Sequence, residues 1–133
     1  MTSFENPLCA VLQYIAAFNH EDAAAMVALC DNPMQILDGM PPHVWQGPTA
    51  AADWWHDVTV EGARLGAGEY RISFGEPRHV DINGDHAYVV LPASMTLRLK
   101  GTAVRQTGSV YTVALRRTGG RWLLTAWSWA KGE

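Results

Sequence analysis

The sequence predicts an α+β domain in which three N-terminal helices pack on one face of a curved antiparallel sheet. Two observations carry that prediction. Apolar residues recur at helical spacing in separate segments before position 60, and from Tyr70 onward the pattern changes to strands divided by turn pairs. The order matters as well. With the helices first and the long strands after them, the chain cannot alternate β and α units, so the helices gather on one side of one sheet.

The first helix opens at Asn6-Pro7, a capping residue followed by a first-turn proline. Leu8, Val11, Leu12, Ile15 and Phe18 then mark an apolar stripe that runs to about Phe18. Tyr14 falls about 40° beyond Phe18 on the helical wheel, so its ring borders the stripe and its hydroxyl can aim at whatever the stripe covers. Asn19 to Asp22 resembles a cap for a short second helix through Ala23–Leu29, which Asp31-Asn32-Pro33 ends. A brief strand at 34–37 leads to Asp38 and a loop built on Gly39, Pro41 and Pro42, followed by His43 and Trp45. Gly47-Pro48-Thr49 starts the third helix, with Ala51, Trp54, Trp55 and Val58 toward one face. Gly62, Gly66 and Gly68 mark the loop after it.

Strands are expected over Tyr70–Glu76 and His79–Ile82, and Asn83-Gly84 is a strong hairpin pair. His86–Leu91 continues into Met95–Lys100 after Pro92, a residue that a regular central ladder does not accommodate. Gln106–Arg117 and Arg121–Trp129 form a further hairpin across Thr118-Gly119-Gly120. Alternation puts Trp127 and Trp129 on one face, where they line an apolar pocket or build a dimer interface.

The chain of 133 residues reads as a single domain, 1–133, with enough apolar residues (48%) for a real core. Residues 1–85 carry a net charge of −9 and residues 86–133 carry +6. The basic residues are scattered through strands without an RNA-binding motif, so they fit a solvated face rather than a nucleic-acid partner. No apolar run reaches membrane-spanning length, and the first residues lack a basic leader region, so a cytoplasmic protein is expected. Cys9 and Cys30 match no metal spacing and read as free thiols. Phosphate loops, nucleophile elbows and His-Glu-x-x-His motifs are absent, so no cofactor or metal is expected.

Asp38 is the candidate working residue. A carboxylate at the inner end of the apolar run Ile36-Leu37 suits a general base, although Asp-Gly is also a common turn pair. The pocket that a curved sheet leaves beneath helices suits a small ligand. Among the two helix tryptophans, one must line a cavity edge or an interface, since neighbours cannot both point straight inward.

The run Tyr14-Ile15-Ala16-Ala17-Phe18-Asn19 with Asp22, followed by Met26-Val27-Ala28-Leu29, resembles the opening helices of ketosteroid isomerases. It is similar, more broadly, to the nuclear transport factor 2-like superfamily, which includes SnoaL-like polyketide cyclases and small dehydratases. Gly47 and the closing Trp122-Leu123-Leu124 with Trp127 fit the same pattern. The resemblance implies a cone-shaped, cystatin-like fold whose cavity opens between helices and sheet. It implies Asp38 as general base and the Tyr14 hydroxyl as donor to a developing enolate oxygen. The isomerases carry a protonated acid on a late strand that corresponds to about Tyr111–Ala114 here. That segment has no carboxyl group, which leaves Tyr111 or Thr112 as the donor there.

The candidate catalytic residues are therefore Asp38 and Tyr14, with Trp54, Trp55, Tyr111, Trp127 and His43 as candidate substrate-binding residues. Superfamily dehydratases pair an acid with a histidine, and His43, His56, His79 and His86 are the residues available for such a pairing. Three function classes fit: a cofactor-independent isomerase, dehydratase or cyclase acting on an apolar carbonyl compound, a non-catalytic binder of a small apolar molecule, and an interaction module. A homodimer through the sheet face is expected.

Overall fold

A computed structural model describes residues 6–133; the N-terminal stretch read above for a leader region lies mostly outside them. Helix α1 spans Pro7–Asn19, with the Asn6 side chain accepting a hydrogen bond from the Leu8 amide. It buries Val11, Tyr14, Ile15 and Phe18. Helix α2, Ala23–Ala28, is capped by Asp22, whose carboxylate accepts from the Ala25 amide. Asn19, expected to help open α2, instead exchanges two hydrogen bonds with the backbone of Ile72 at 2.8 and 3.0 Å. Its amide thus ties the end of α1 to the sheet.

Strand β1 runs over Cys30–Leu37, longer than the expected 34–37, and passes through Asp31-Asn32-Pro33. Pro33 is accommodated because the register against the neighbouring strand is irregular between Cys30 and Gln35, so its missing N–H breaks no regular ladder. Strand β2, Val44–Gly47, was not expected; it folds back on β1 and pairs Ile36 with Trp45. Helix α3 spans Ala50–Leu65 and ends at Gly66 in the left-handed conformation. Gly62 lies inside α3 rather than in the loop; it is glycine because a Cβ there would come 2.8 Å from the Ala67 carbonyl oxygen.

The remaining strands are β3 (Ala67–Phe74), β4 (His79–Asn83), β5 (His86–Leu99), β6 (Thr102–Thr118) and β7 (Arg121–Ala130). They form one curved sheet in the order β2-β1-β7-β6-β5-β3, with β4 also paired to β5. The expected all-antiparallel pairing needs one correction: β1 and β7 are parallel. Their wide separation in sequence frees that pair from the hairpin geometry that makes neighbouring strands antiparallel.

Pro92 sits within β5, which is a single strand. Its polar backbone edge faces the point where β4 gives way to β3, with Val90 opposite His79 and Ala93 opposite Phe74. The β5–β6 hairpin turns at Lys100-Gly101, both with positive φ, as a two-residue turn requires. On β7 an extra residue, Thr125, interrupts the register between Leu115–Leu124 and Ala114–Ala126. That bulge puts Trp122, Leu124 and Trp127 on the same buried face. Against this face α1 and α3 complete the core. No helix among the described residues is long and apolar enough to cross a membrane.

Candidate functional site

Between α1, α3 and the inner face of β3, β5, β6 and β7 lies a cavity of about 470 Å³, edged by the loop after β1. That volume is in the range of small-molecule sites. Tyr14, Asp38, Trp54, Tyr111 and Trp127 all line it. Most of the remaining wall is apolar, including Phe18, Ile72, Met95 and Leu97.

Asp38 stands just past β1, half-buried, with its carboxylate held by two donors. The Trp54 indole N–H reaches Oδ2 at 3.0 Å and the Gly39 amide reaches Oδ1 at 2.8 Å. Each oxygen keeps a free lone pair, so the group is oriented yet still able to accept. Trp54 in turn packs edge-on against Trp127, ring centres 4.9 Å apart.

Tyr14 is buried from α1, and its hydroxyl oxygen accepts the Trp127 indole N–H at 3.1 Å. Its own proton has no acceptor among the described residues. Burial, with a smaller contribution from the nearby Cys30 thiol, pushes the phenol far above its ordinary range, so it stays a neutral donor. Tyr111 projects from β6 and is likewise buried, stacked on Phe74 and tilted against Trp127. Its hydroxyl has no hydrogen-bond partner among the described residues. Burial first, and then the nearness of Tyr14, Cys30 and Asp38, which disfavours a further negative charge, raise its pKa well above the ordinary value. Those three groups are therefore its electrostatic neighbours.

Two of the sequence candidates lie elsewhere. Trp55 is outside the cavity lining and packs edge-on against Phe18 at 5.7 Å, because its neighbour Trp54 already occupies the inward position on α3. His43 is exposed with a φ of 78° and closes the loop: its ring Nδ1 lies 3.0 Å from the Asp38 carbonyl oxygen. No histidine lines the cavity.

Gln106 and Lys131 also line it and were not singled out from sequence. Strict alternation from Tyr111 puts residue 107 inward rather than 106. The register of β6 against β5 shifts there, with Ser109 opposite Ala93 and Gln106 opposite Met95. The signal was Gly108, whose positive φ marks the irregularity. Among the described residues, no cluster of His, Cys, Asp or Glu is arranged to hold a metal ion.

The model of the SnoaL-like domain matches residues 9–128. No curated protein matches the chain. The fold is similar to that of a ketosteroid isomerase-like protein from Erwinia carotovora atroseptica SCRI1043, with TM-score 0.75, 20% identity and 97% and 95% of the two chains covered. A putative dehydratase from the NTF2-like family of Streptomyces avermitilis gives 0.75 at 17% identity, covering 96% and 94%. A type 2 hexachlorocyclohexane dehydrochlorinase gives 0.78 at 12% identity, covering 93% and 81%. At these identities the solved structures speak for the fold alone. The family model, spanning most of the sequence, decides the membership: the chain belongs to the SnoaL-like domain family, with the nuclear transport factor 2-like fold.

Proposed function

We propose that the cavity binds a small apolar carbonyl compound and that Asp38 and Tyr14 catalyse proton transfer next to its carbonyl. The observation that carries this reading is the Asp38 carboxylate together with two hydroxyls whose protons have no acceptor among the described residues, those of Tyr14 and Tyr111, around one apolar cavity. Asp38 takes a proton from the carbon beside the carbonyl, and the C–H electron pair moves into the carbonyl to give an enolate oxygen. The neutral Tyr14 hydroxyl donates to that oxygen as its charge develops, and Tyr111 supplies a second donor from β6. In a substrate with a β,γ double bond the protonated Asp38 then returns the proton to the γ-carbon, which shifts the double bond into conjugation. Where the substrate carries a hydroxyl at the β-carbon, the enolate expels it instead and the protonated Asp38 gives its proton to the departing oxygen, so that water leaves as in a dehydratase. Trp54 and Trp127 form the wall that holds the apolar body and orients the base.

The test is hydrogen–deuterium exchange of 2-tetralone, an apolar ketone with acidic α-protons, followed by NMR in D2O. The protein should accelerate exchange over buffer, and Asp38→Asn should abolish the acceleration while the fold persists by circular dichroism. Binding of the ketone without any acceleration would leave the non-catalytic binder as the better reading.

The reading extends to a homodimer through the outer sheet face, where Leu37, Val44 and Tyr88 remain about half exposed. Light scattering over a dilution series checks it, and a monomer at all concentrations would refute it.

A further inference from the structure

The cavity wall carries two polar side chains that the proton-transfer chemistry does not use. Gln106 reaches the cavity from β6, and Lys131 from the chain just beyond β7. Around Gln106 the hydrogen bonds run in one direction. The Gly132 amide donates to Ser109 Oγ at 3.0 Å, and that hydroxyl donates to Gln106 Oε1 at 2.9 Å. The Trp129 indole N–H donates to the same Oε1 at 3.1 Å. Both lone pairs of the amide oxygen are then taken, which fixes the amide the right way round and leaves its NH2 with two donors to offer. Among the described residues nothing accepts them.

This arrangement is built rather than accidental. Ser109 is 1% exposed, a polar side chain buried only to serve the relay. Gly132 fits where a Cβ would collide with the backbone of Thr107–Ser109, and Glu133 exchanges two backbone hydrogen bonds with Thr107. The last residues are thereby clamped to β6, and Lys131 is held at the cavity rim. A Cβ on Gly39 would lie 3.4 Å from the Lys131 Cδ, so the lysine stem runs along the loop after β1. Its ammonium makes no ion pair among the described residues. Of the two acids in the lining, Glu61 is engaged by Arg64, and the Asp38 oxygens face Trp54 and the Gly39 amide.

We propose that Gln106 and Lys131 form a subsite for a carboxylate on the ligand, so that the ligand is an apolar molecule that carries a carboxylate as well as its carbonyl. A fixed amide NH2 and a free ammonium are complementary to an anionic oxygen pair and to little else in an apolar cavity. The inference rests on the cavity being a ligand site, and it adds the chemical class of that ligand.

The test uses two probes of one skeleton, 6-carboxy-2-tetralone and its methyl ester, titrated against the wild-type protein by quenching of tryptophan fluorescence. The acid should bind roughly tenfold more tightly than the ester, as a partly exposed charge-assisted contact gives, and the preference should shrink with added salt. Lys131→Met should bring the ratio close to one by weakening the acid more than the ester. Gln106→Glu keeps an acceptor for Ser109 and Trp129 but replaces the donors with a charged oxygen. It should reverse the preference toward the ester. Equal binding of acid and ester by the wild type, or a preference that survives both substitutions, would overturn the subsite and leave the ketone site standing. Binding of neither probe would overturn the ketone site and the subsite together.

Discussion

The indole N–H of Trp127 donates to the hydroxyl oxygen of Tyr14 at 3.1 Å, joining the first helix to the last strand across 113 positions of sequence. The bond does two things at once. It satisfies a buried indole, and it uses a lone pair of the tyrosine oxygen rather than its proton. The proton is left for a ligand. A phenol in such a place acts only as a neutral donor, since burial has moved its ionisation out of reach.

Replacing Tyr14 by phenylalanine therefore has a cost in the unliganded protein. The Trp127 N–H is left buried without an acceptor, which lowers stability by about 1–3 kcal/mol. The same change removes the proposed donor to the enolate oxygen and should slow ketone proton exchange roughly a hundredfold or more. Urea unfolding and NMR exchange measured on one preparation check both effects.

Tyr111→Phe should have the opposite effect on stability. Its hydroxyl is buried without a partner among the described residues, so deleting it removes an unsatisfied polar group and leaves the stacking on Phe74 intact. Stability should stay level or rise by about 1 kcal/mol, while ketone affinity and exchange rate fall. A protein destabilised as much as Tyr14→Phe would show that the hydroxyl has a structural task, and the pair of variants separates the two cases.

The contrast between these tyrosines also shows what sequence could reveal. Helical spacing was sufficient to bring Tyr14 to the edge of the α1 stripe, and Asp38 was legible as an acid at the end of an apolar strand. The loop glycines and proline pairs located most of the turns. The missed features depend on register. Gln106 faces inward only because β6 slips against β5, and Trp122 joins the Trp127 face only because β7 carries an extra residue. Strand period is a local property, whereas a bulge is decided by the neighbouring strand. The parallel β1–β7 pair was hidden for the same reason. Trp54 and Trp55 show the limit at a single position: the sequence allows either to face inward, and packing against Trp127 selects Trp54.

Cys30 gives a pH dependence with a definite sign. Burial pushes its thiol from 9.0 up to about 12, and its Sγ donates to the Met26 carbonyl oxygen. Above about pH 9 the unfolded chain loses this proton while the folded one retains it, so the folded state binds more protons and stability falls as pH rises. The contribution is complete below pH 9 and is lost progressively toward pH 12. By pH 10.5 the loss should be on the order of 2 kcal/mol from this group. Urea unfolding at pH 8 and pH 10.5 measures the slope. Cys30→Ala should flatten it, leaving the part that comes from the buried tyrosines.

Gly132→Ala tests whether the closing residues are part of the site or only its neighbours. The added methyl collides with the backbone of Thr107–Ser109, and those atoms belong to the ladder rather than to a flexible side chain. The segment must therefore lift away, which breaks the Gly132–Ser109 bond and the two backbone bonds between Thr107 and Glu133. Ser109 then loses its donor, the Gln106 amide loses part of its restraint, and Lys131 loses its fixed place at the rim. Because Gly132 lies beyond β7 and outside the buried core, the change should reduce global stability only modestly, by about 1 kcal/mol. Binding should respond unequally. Affinity for a carboxylated ketone should fall toward that of its ester, and ketone exchange at Asp38 should be little altered. Thermal unfolding, the two-probe titration and the exchange assay together read all three quantities. If exchange fell as far as carboxylate binding did, the C-terminal clamp would have to support the Asp38 loop through the Lys131–Gly39 contact as well.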